Sequence, residues 1–459
     1  MKIICAKALI HIYSFLLFTS YFSLIYAQAP DTLWTKKYGG SGDDWASSVQ
    51  LTNDGGFIVV GGTSSFGADS VDLYLLKLNS SGDTLWTKQY GGSGYDGGLA
   101  IESTSDSGYI IVGCTSSYGQ GDYDVWLIRI NSMGDTLWTK TFGGQNADLG
   151  YSVQQISDSG FIVVGLYDEG ANQQVFLIKT DINGDSLWTK KYGAAGYESG
   201  RSVQQIADGG FIITGTTRSF GSGENDIWLL KTDQYGDTTW TKTYGGVDYD
   251  EGYDVRQTSD TGYIITGYTL SYGVGLRDIW LVKTNSQGDT LWTRTYGGAN
   301  YDWGNSVQQT TDGGFIIAGY TWSYGAGRAD VFLVRTDTLG DTLWTKTLGY
   351  ADGDWAHEVN LIPDGGYIVV GTVDFDFWYG DVYVIRITPD TLDVKEQMIN
   401  PVKNDFGATI FSGPLLFPQD KNCRVFDIMG RIVMLDKIKP GIYFIEVDGK
   451  IIKKVVKVR

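Results

Sequence analysis

The sequence predicts an all-β chain: a seven-bladed β-propeller closed by its own N-terminal strand, followed by a small C-terminal domain of four or five short strands. Three observations predict it. The phrase DTLWTK, or a near copy, recurs seven times, and its tryptophans (Trp34, Trp86, Trp138, Trp188, Trp240, Trp292, Trp344) are spaced by 52, 52, 50, 52, 52 and 52 residues. A period near 50 without helical patterning belongs to propeller blades. Aromatics at 14% and 63 glycines against 7 prolines suit short strands joined by tight turns. The unit beginning near Glu358 lacks a fourth strand, and one unattached fourth strand, Asp31–Gly40, precedes the first unit.

Taken in order, residues 1–27 carry Lys2 and Lys7, a long apolar run, and then Ala27 and Ala29. This reads as a secretory signal peptide cut after Ala27, with Ile25 an imperfect residue at the cleavage site. Residues 31–388 form the propeller. In the unit Asn305–Gly349, SVQQT is the first strand and Asp312-Gly313-Gly314 a hairpin whose glycine accepts positive φ. FIIAGYT and DVFLVRT are the second and third strands, and DTLWTKT, after the turn at Gly340, is the fourth. The middle strands are near-continuous apolar runs, which predicts burial on both faces between neighbouring blades. First strands begin near Ser48, Ala100, Ser152, Ser202, Asp254, Ser306 and Glu358. Pairing the lone N-terminal strand with the last three C-terminal ones leaves no open edge. The repeated tryptophans are expected to dock blade on blade. Gly61, Gly113, Gly165, Gly215, Gly267, Gly319 and Gly371, each 27 residues after a marker tryptophan, are expected to admit a large side chain from the adjacent blade.

Residues 389–402 read as a linker and 403–459 as the small β-domain. Charge divides the chain accordingly: residues 1–394 hold 23 basic and 46 acidic residues, residues 395–459 hold 12 and 7. The net charge of −18 excludes a nucleic-acid surface. After signal removal only Cys114 and Cys423 remain, in different regions, so no disulfide is expected.

Catalytic chemistry is poorly supplied. The mature chain has one histidine, His357, expected at a surface or capping position, and no metal-spaced Cys/His cluster, phosphate loop or dinucleotide fingerprint. No catalytic residues and no cofactor are therefore expected. Acidic residues recur in register at Asp44, Asp96, Asp148, Glu198, Asp250, Asp302 and Asp354, and before the third strands at Asp72, Asp124, Asp226, Asp278, Asp330 and Asp381, with Gln174 breaking the series. Both sets belong to loops on one face. They are expected to brace backbone N–H groups, with calcium the alternative ligand. Departures from the repeat carry more functional information. Trp45, Trp303 and Trp355 follow the acidic position in blades 1, 6 and 7, and Trp322 and Trp378 fall in loops on the same face. These five predict a patch that binds an extracellular glycan or a surface protein.

The stretch Tyr90–Gly134 resembles the bacterial secreted β-propeller repeat of the SBBP type, through its YGG, its D-x-G turn, its I-x-G-x-T-S strand end and its D-x-W-L-x-[KR] strand. The tail, with NPVKNDF, CRVFDIMGRIV, GIYFIEV and KKVVKVR, is similar to the type A C-terminal sorting domain of type IX secretion, its usual P-N-P opening reduced to Asn400-Pro401. That resemblance implies a small C-terminal β-sandwich, passage through the periplasm, recognition by outer-membrane secretion machinery, and release or attachment at the surface. The expectation is thus a monomeric, non-enzymatic, exported binding module. A polysaccharide-acting enzyme using Asp354 with Glu358, or Asp374 with Asp376, is the first alternative. A structural surface coat is the second.

Overall fold

The computed structural model describes residues 28–67, 70–375, 380–390, 408–411, 423–427, 431–434, 438–439, 441–447 and 450–457. Seven four-stranded antiparallel sheets follow one another along the chain. Blades 1 to 6 span 44–90, 96–142, 149–192, 198–244, 250–296 and 302–348. Blade 7 takes three strands from the end of the unit, Gly353–Leu361, Tyr367–Phe375 and Asp381–Ile387, and its outer strand, Thr32–Tyr38, from the chain's start. The clasp is antiparallel, with Trp34 opposite Arg386 and Tyr38 opposite Val382. Each inner strand packs against the inner strands of both neighbours, the first against the last, so the ring is closed.

Burial follows the pattern of the sequence. Phe57–Thr63 and Asp72–Leu78 are buried along their whole length, because each middle strand is covered by a blade on either side. The core is accordingly seven seams between blades. One joins Ile58, Val60 and Leu75 of blade 1 to Ile101, Ile111 and Trp126 of blade 2.

The repeated phrase docks on itself. Trp34 meets Phe57 of the next blade edge-on at 6.2 Å, and Trp138–Phe161 and Trp240–Tyr263 repeat this at 5.9 and 6.1 Å. The same tryptophan lies over the glycine that opens the next copy: a Cβ on Gly82 would stand 2.9 Å from Trp34, and one on Gly288 2.9 Å from Trp240. Beside it, Lys36 reaches Asp83 and Lys242 reaches Asp289, at 2.6 and 2.9 Å. Gly and Asp of each later copy therefore receive Trp and the basic residue of the copy before, a lysine except for Arg294. At the seam Pro30 stands where the glycine would be. There Lys346 donates to the Pro30 carbonyl at 2.8 Å, and Trp344 Nε1 donates to Asp390 at 3.1 Å.

The glycine series at Gly61 has a different cause from the one expected. No side chain from the adjacent blade fills the place of its Cβ. A Cβ there would stand 1.8 Å from the Trp45 carbonyl oxygen, and the backbone of the same blade's inner strand blocks Gly113, Gly267 and Gly371 likewise. A bulge in the inner strand, between Ala46 and Ser48, turns that carbonyl toward its neighbour.

A second intrablade device recurs. The basic residue of each third strand pairs with the aspartate of its own first hairpin: Lys77 with Asp54 at 2.9 Å, Lys283 with Asp260 at 2.9 Å, Arg335 with Asp312 at 2.6 Å. The cation is buried and the carboxylate exposed, so the pair anchors the turn while burying the aliphatic stem.

By its contacts the chain divides after Asp393. In the second unit Ala408–Phe411, Cys423–Asp427, Gly441–Val447 and Lys450–Lys457 form one mixed sheet, the first strand parallel to the last. Val425, Ile438, Tyr443 and Ile445 form its small core. Among the described residues this is a single sheet, not the two layers of a sandwich. The predicted signal peptide and all of the predicted linker except Pro389 and Asp390 lie outside the described residues.

Candidate binding face and central channel

The first acidic ring braces loops. Each carboxylate accepts the backbone N–H four residues before it: Gly40 to Asp44, Gly92 to Asp96, Gly144 to Asp148, Gly246 to Asp250 and Gly298 to Asp302, at 2.6–2.8 Å. Ala194 donates to Glu198 at 3.2 Å and Tyr350 to Asp354 at 2.5 Å. Asp124, Asp226 and Asp278 of the second ring accept from Gln120, Ser222 and Val274 at 2.6–2.7 Å. The rings meet at the blade junctions, where one glycine lies between two carboxylates. A Cβ on Gly91 would meet Asp72 and Asp96, and one on Gly297 would meet Asp278 and Asp302. Burial, reinforced by the neighbouring carboxylate, pushes Asp278 and Asp330 up to about 6, against the N–H bonds that favour the charged form. Among the described residues no group of three or more histidine, cysteine or acidic side chains is placed to hold a metal.

Four of the five predicted patch tryptophans lie among the described residues; Trp378 falls outside them. Trp303 and Trp355 are half-buried and brought together by Tyr320, whose ring lies 4.8 Å from the first and 5.6 Å from the second. Trp303 also stacks on Tyr301 at 5.6 Å and carries the Arg277 guanidinium 4.8 Å from its ring. Trp45 stacks on Tyr95 at 6.3 Å. It lies against Gly62, where a Cβ would come within 2.2 Å of the indole. Trp322 is the outward-facing member, 43% exposed.

Below this face all seven inner strands line a cavity of about 200 Å³. Sequence reading placed His357 at a surface or cap. It lines this channel instead, where burial lowers it to about 4 and keeps the imidazole neutral at neutral pH. Arg201 lies over the Tyr151 ring at 4.1 Å. Deeper, Arg256 faces Asp254, Glu102 and Glu358, and Asp254 is its nearest partner at 3.4 Å. Burial raises Glu102 to about 7, with Arg256 opposing and Glu358 adding to the shift. Each of these carboxylates accepts a backbone N–H: Glu102 from Gln155, Asp254 from Val307 and Glu358 from Val49, at 3.0, 3.0 and 2.8 Å. In other blades neutral groups serve, as Gln154 accepts from Gln205 and Ser48 from Ile101.

The charged channel group is what sequence reading missed. Its signal was present in the alignment of the repeats: Arg256 stands where other blades carry Gln50 or Gln204, and Asp254 where they carry serine. Asp354 and Glu358, weighed above as an acid–base pair, have different surroundings. Asp354 is bound by Tyr350 and Asp374 N–H groups, whereas Glu358 lines the channel. Asp374 pairs with Lys37, and Asp376 lies outside the described residues.

No family model matches the chain, and no curated protein does. Among solved structures it is similar to the Neurospora crassa Pan2 WD40 domain, at 11% identity and a TM-score of 0.47, covering 79% of this chain and 96% of that one. It is also similar to a Dyadobacter fermentans protein of unknown function, at 9% identity and 0.45, covering 78% and 100%. The polysaccharide lyase Uly1 matches at 11% identity and 0.45, covering 77% and 92%.

Proposed function

We propose that this protein is a non-enzymatic binding module whose ligand face is the channel mouth. In this reading the signal-like start and sorting-like tail deliver it to the cell surface or the medium. One observation carries it: side chains that the blade scaffold does not require gather at one end of the ring. Trp45, Trp303 and Trp355 replace Gly97, Leu149 and Ser199 of other blades, the exposed Trp322 follows the second strand of blade 6, and the Arg277 guanidinium, before the third strand of blade 5, lies over the Trp303 ring. The exposed Trp322 indole suits the C–H face of a sugar, the packed tryptophans hold the surface around it, and the guanidinium and loop amides supply polar contacts, so an extracellular glycan is the ligand class favoured over a protein surface. A glycan array probed with the full chain tests this. Trp322→Ala together with Trp303→Ala is expected to abolish the signal; unchanged binding by the folded double variant rejects it.

A second reading has its own observation. Glu102, held near neutrality, shares the channel with Glu358, as a general acid would with its partner carboxylate. Under that reading Glu102→Gln and Glu358→Gln each abolish reducing-end release from a polysaccharide panel. Absence of release by the unmodified chain removes it.

A further inference from the structure

The rim of the propeller carries two grooves that repeat one another. The groove at the junction of blades 4 and 5, with Tyr272, Trp280 and Thr293, encloses about 380 Å³. The groove at the junction of blades 5 and 6, with Tyr324, Phe332 and Thr345, encloses about 430 Å³. The two use the same positions 52 residues apart, as Thr243 and Thr295 or Tyr244 and Tyr296 show. Neither is lined by a charged side chain.

Two other blades, 3 and 7, show what can close such a place. In each blade an aromatic ring from a face loop, or in blade 3 from the end of the second strand, rests on the aromatic residue of the third strand, as Tyr272 does on Trp280 and Tyr324 on Phe332. In blade 3 the ring is Tyr167, and the Lys191 ammonium covers it at 3.3 Å while bound to Glu169 at 3.0 Å. In blade 7 the ring is Tyr350, covered by Lys37 at 3.8 Å while paired with Asp374. Lys191 stands opposite Phe176 and Lys37 opposite Tyr383. The same register holds Thr295 opposite Trp280 and Thr347 opposite Phe332. Blades 2 and 4 also carry threonine at this register, Thr141 opposite Trp126 and Thr243 opposite Trp228, so the lysine lid is the departure of blades 3 and 7, and blades 5 and 6 keep the short hydroxyl that leaves the ring uncovered. Their tyrosines are 48% and 47% exposed, and their orientation is fixed by hydroxyl bonds to the Gly245 and Gly297 carbonyls at 2.9 and 2.6 Å.

We propose that the two grooves each seat a sugar unit of one neutral polysaccharide, which runs along the rim from blade 5 to blade 6. This rests on the glycan reading above but on different residues. An uncharged groove with an aromatic floor and threonine hydroxyls at its rim suits a pyranose: C–H groups face the ring and hydroxyls meet hydroxyls. Two copies at one repeat interval suit a ligand that itself repeats. The excess of carboxylates over the propeller disfavours an anionic polymer.

Affinity electrophoresis of the full chain in gels containing dextran, β-1,3-glucan or galactomannan tests this. Retardation by at least one neutral polymer is expected. Thr295→Lys with Thr347→Lys, which installs the lid of blades 3 and 7, is expected to weaken it roughly ten-fold or more, and either change alone by less, because two linked sites are lost together. Tyr272→Ala with Tyr324→Ala removes the floor and is expected to do the same if the introduced lysines turn away. Unchanged retardation in both folded double variants overturns the grooves, as does retention by poly-lysine alone. If retardation instead disappears only in Trp303→Ala with Trp322→Ala, the grooves fall and the channel-mouth reading stands. If it survives that change but is lost with the groove variants, the reverse holds.

Discussion

At the scale of single residues, several positions hold a conformation or a charge against local preference. The first hairpin of most blades places glycine at positive φ, as Gly55 and Gly313 do at 76° and 86°, but Ser107, Ser159 and Thr261 adopt the same geometry at 67°, 71° and 67°. A β-branched residue is the least suited to it. Thr261→Gly is therefore expected to stabilise the fold by about 0.5–1 kcal/mol, measured by urea unfolding; a neutral result would mean that the Thr261 side chain offsets its own strain. Asp278 is strained electrically. Its folded-state acidity lies near 6 against an ordinary 3.8, so the native protein binds a proton more readily than the unfolded chain. The charged form costs stability above pH 6, and the cost disappears as pH falls through 6 toward 3.8. Asp278→Asn keeps an acceptor for the Val274 N–H and can donate toward Asp302. It is expected to raise stability at pH 8 by about 1–3 kcal/mol, the gain closing toward pH 4. His357 acts with the opposite sign: lowered to about 4, it loses stability for the fold as pH drops below 6.5. The comparison must thus be made variant against parent at each pH, and a gain independent of pH would remove the electrostatic account of Asp278.

At the scale of elements, the repeated phrase is a connector. Its aromatic member bears most of the load: Trp240 packs on Tyr263 and on Gly288, while the Lys242–Asp289 pair beside it is exposed to water. Trp240→Ala is expected to cost about 3–5 kcal/mol and Asp289→Ala far less, because the pair is exposed and screened by water, read from denaturant midpoints; equal costs would overturn this division. The connector also shows what a sequence discloses. Strand number, blade order, the clasp and the docking tryptophans were legible, because repetition marks every position that the scaffold needs. The role of Gly61 was not, because it depends on a carbonyl turned by a bulge, and a bulge leaves no clear mark in a list of side chains. The channel group was hidden differently. Asp254 and Glu358 perform the same backbone-accepting task as the serines they replace, so only their charge distinguishes them. Trp303 and Trp355 could be placed on one face from their register, but the Tyr320 ring that joins them arises from packing between blades.

At the scale of the whole molecule, closure rests on one strand that belongs to two neighbours. Thr32–Tyr38 completes the sheet of blade 7, where Thr388 also donates to the Asp31 carbonyl at 3.0 Å. Its outward groups serve blade 1: Trp34 meets Phe57, Lys36 reaches Asp83, and the Tyr38 hydroxyl donates to the Gly82 carbonyl at 2.5 Å. On the other side of blade 7, the seam lacks the usual glycine and is held by Asp390, which binds Arg335 at 2.8 Å, Trp344 at 3.1 Å and the Tyr367 hydroxyl at 2.7 Å. Blade 7 is thus held by segments from both ends of the propeller, and neither end can leave without opening a sheet edge. Removing residues 28–40 is expected to expose the Asp381–Ile387 strand, lower the melting temperature by more than roughly 10 °C, and make the chain associate through the open edge. Because the missing piece is a single strand with its own docking side chains, a synthetic peptide of residues 31–40 added in excess should restore much of the lost stability. A peptide with Trp34→Ala should restore much less. A truncated chain that melts where the parent does would refute closure by this strand. Equal rescue by both peptides would show that backbone pairing with blade 7, and not docking on blade 1, holds the ring shut.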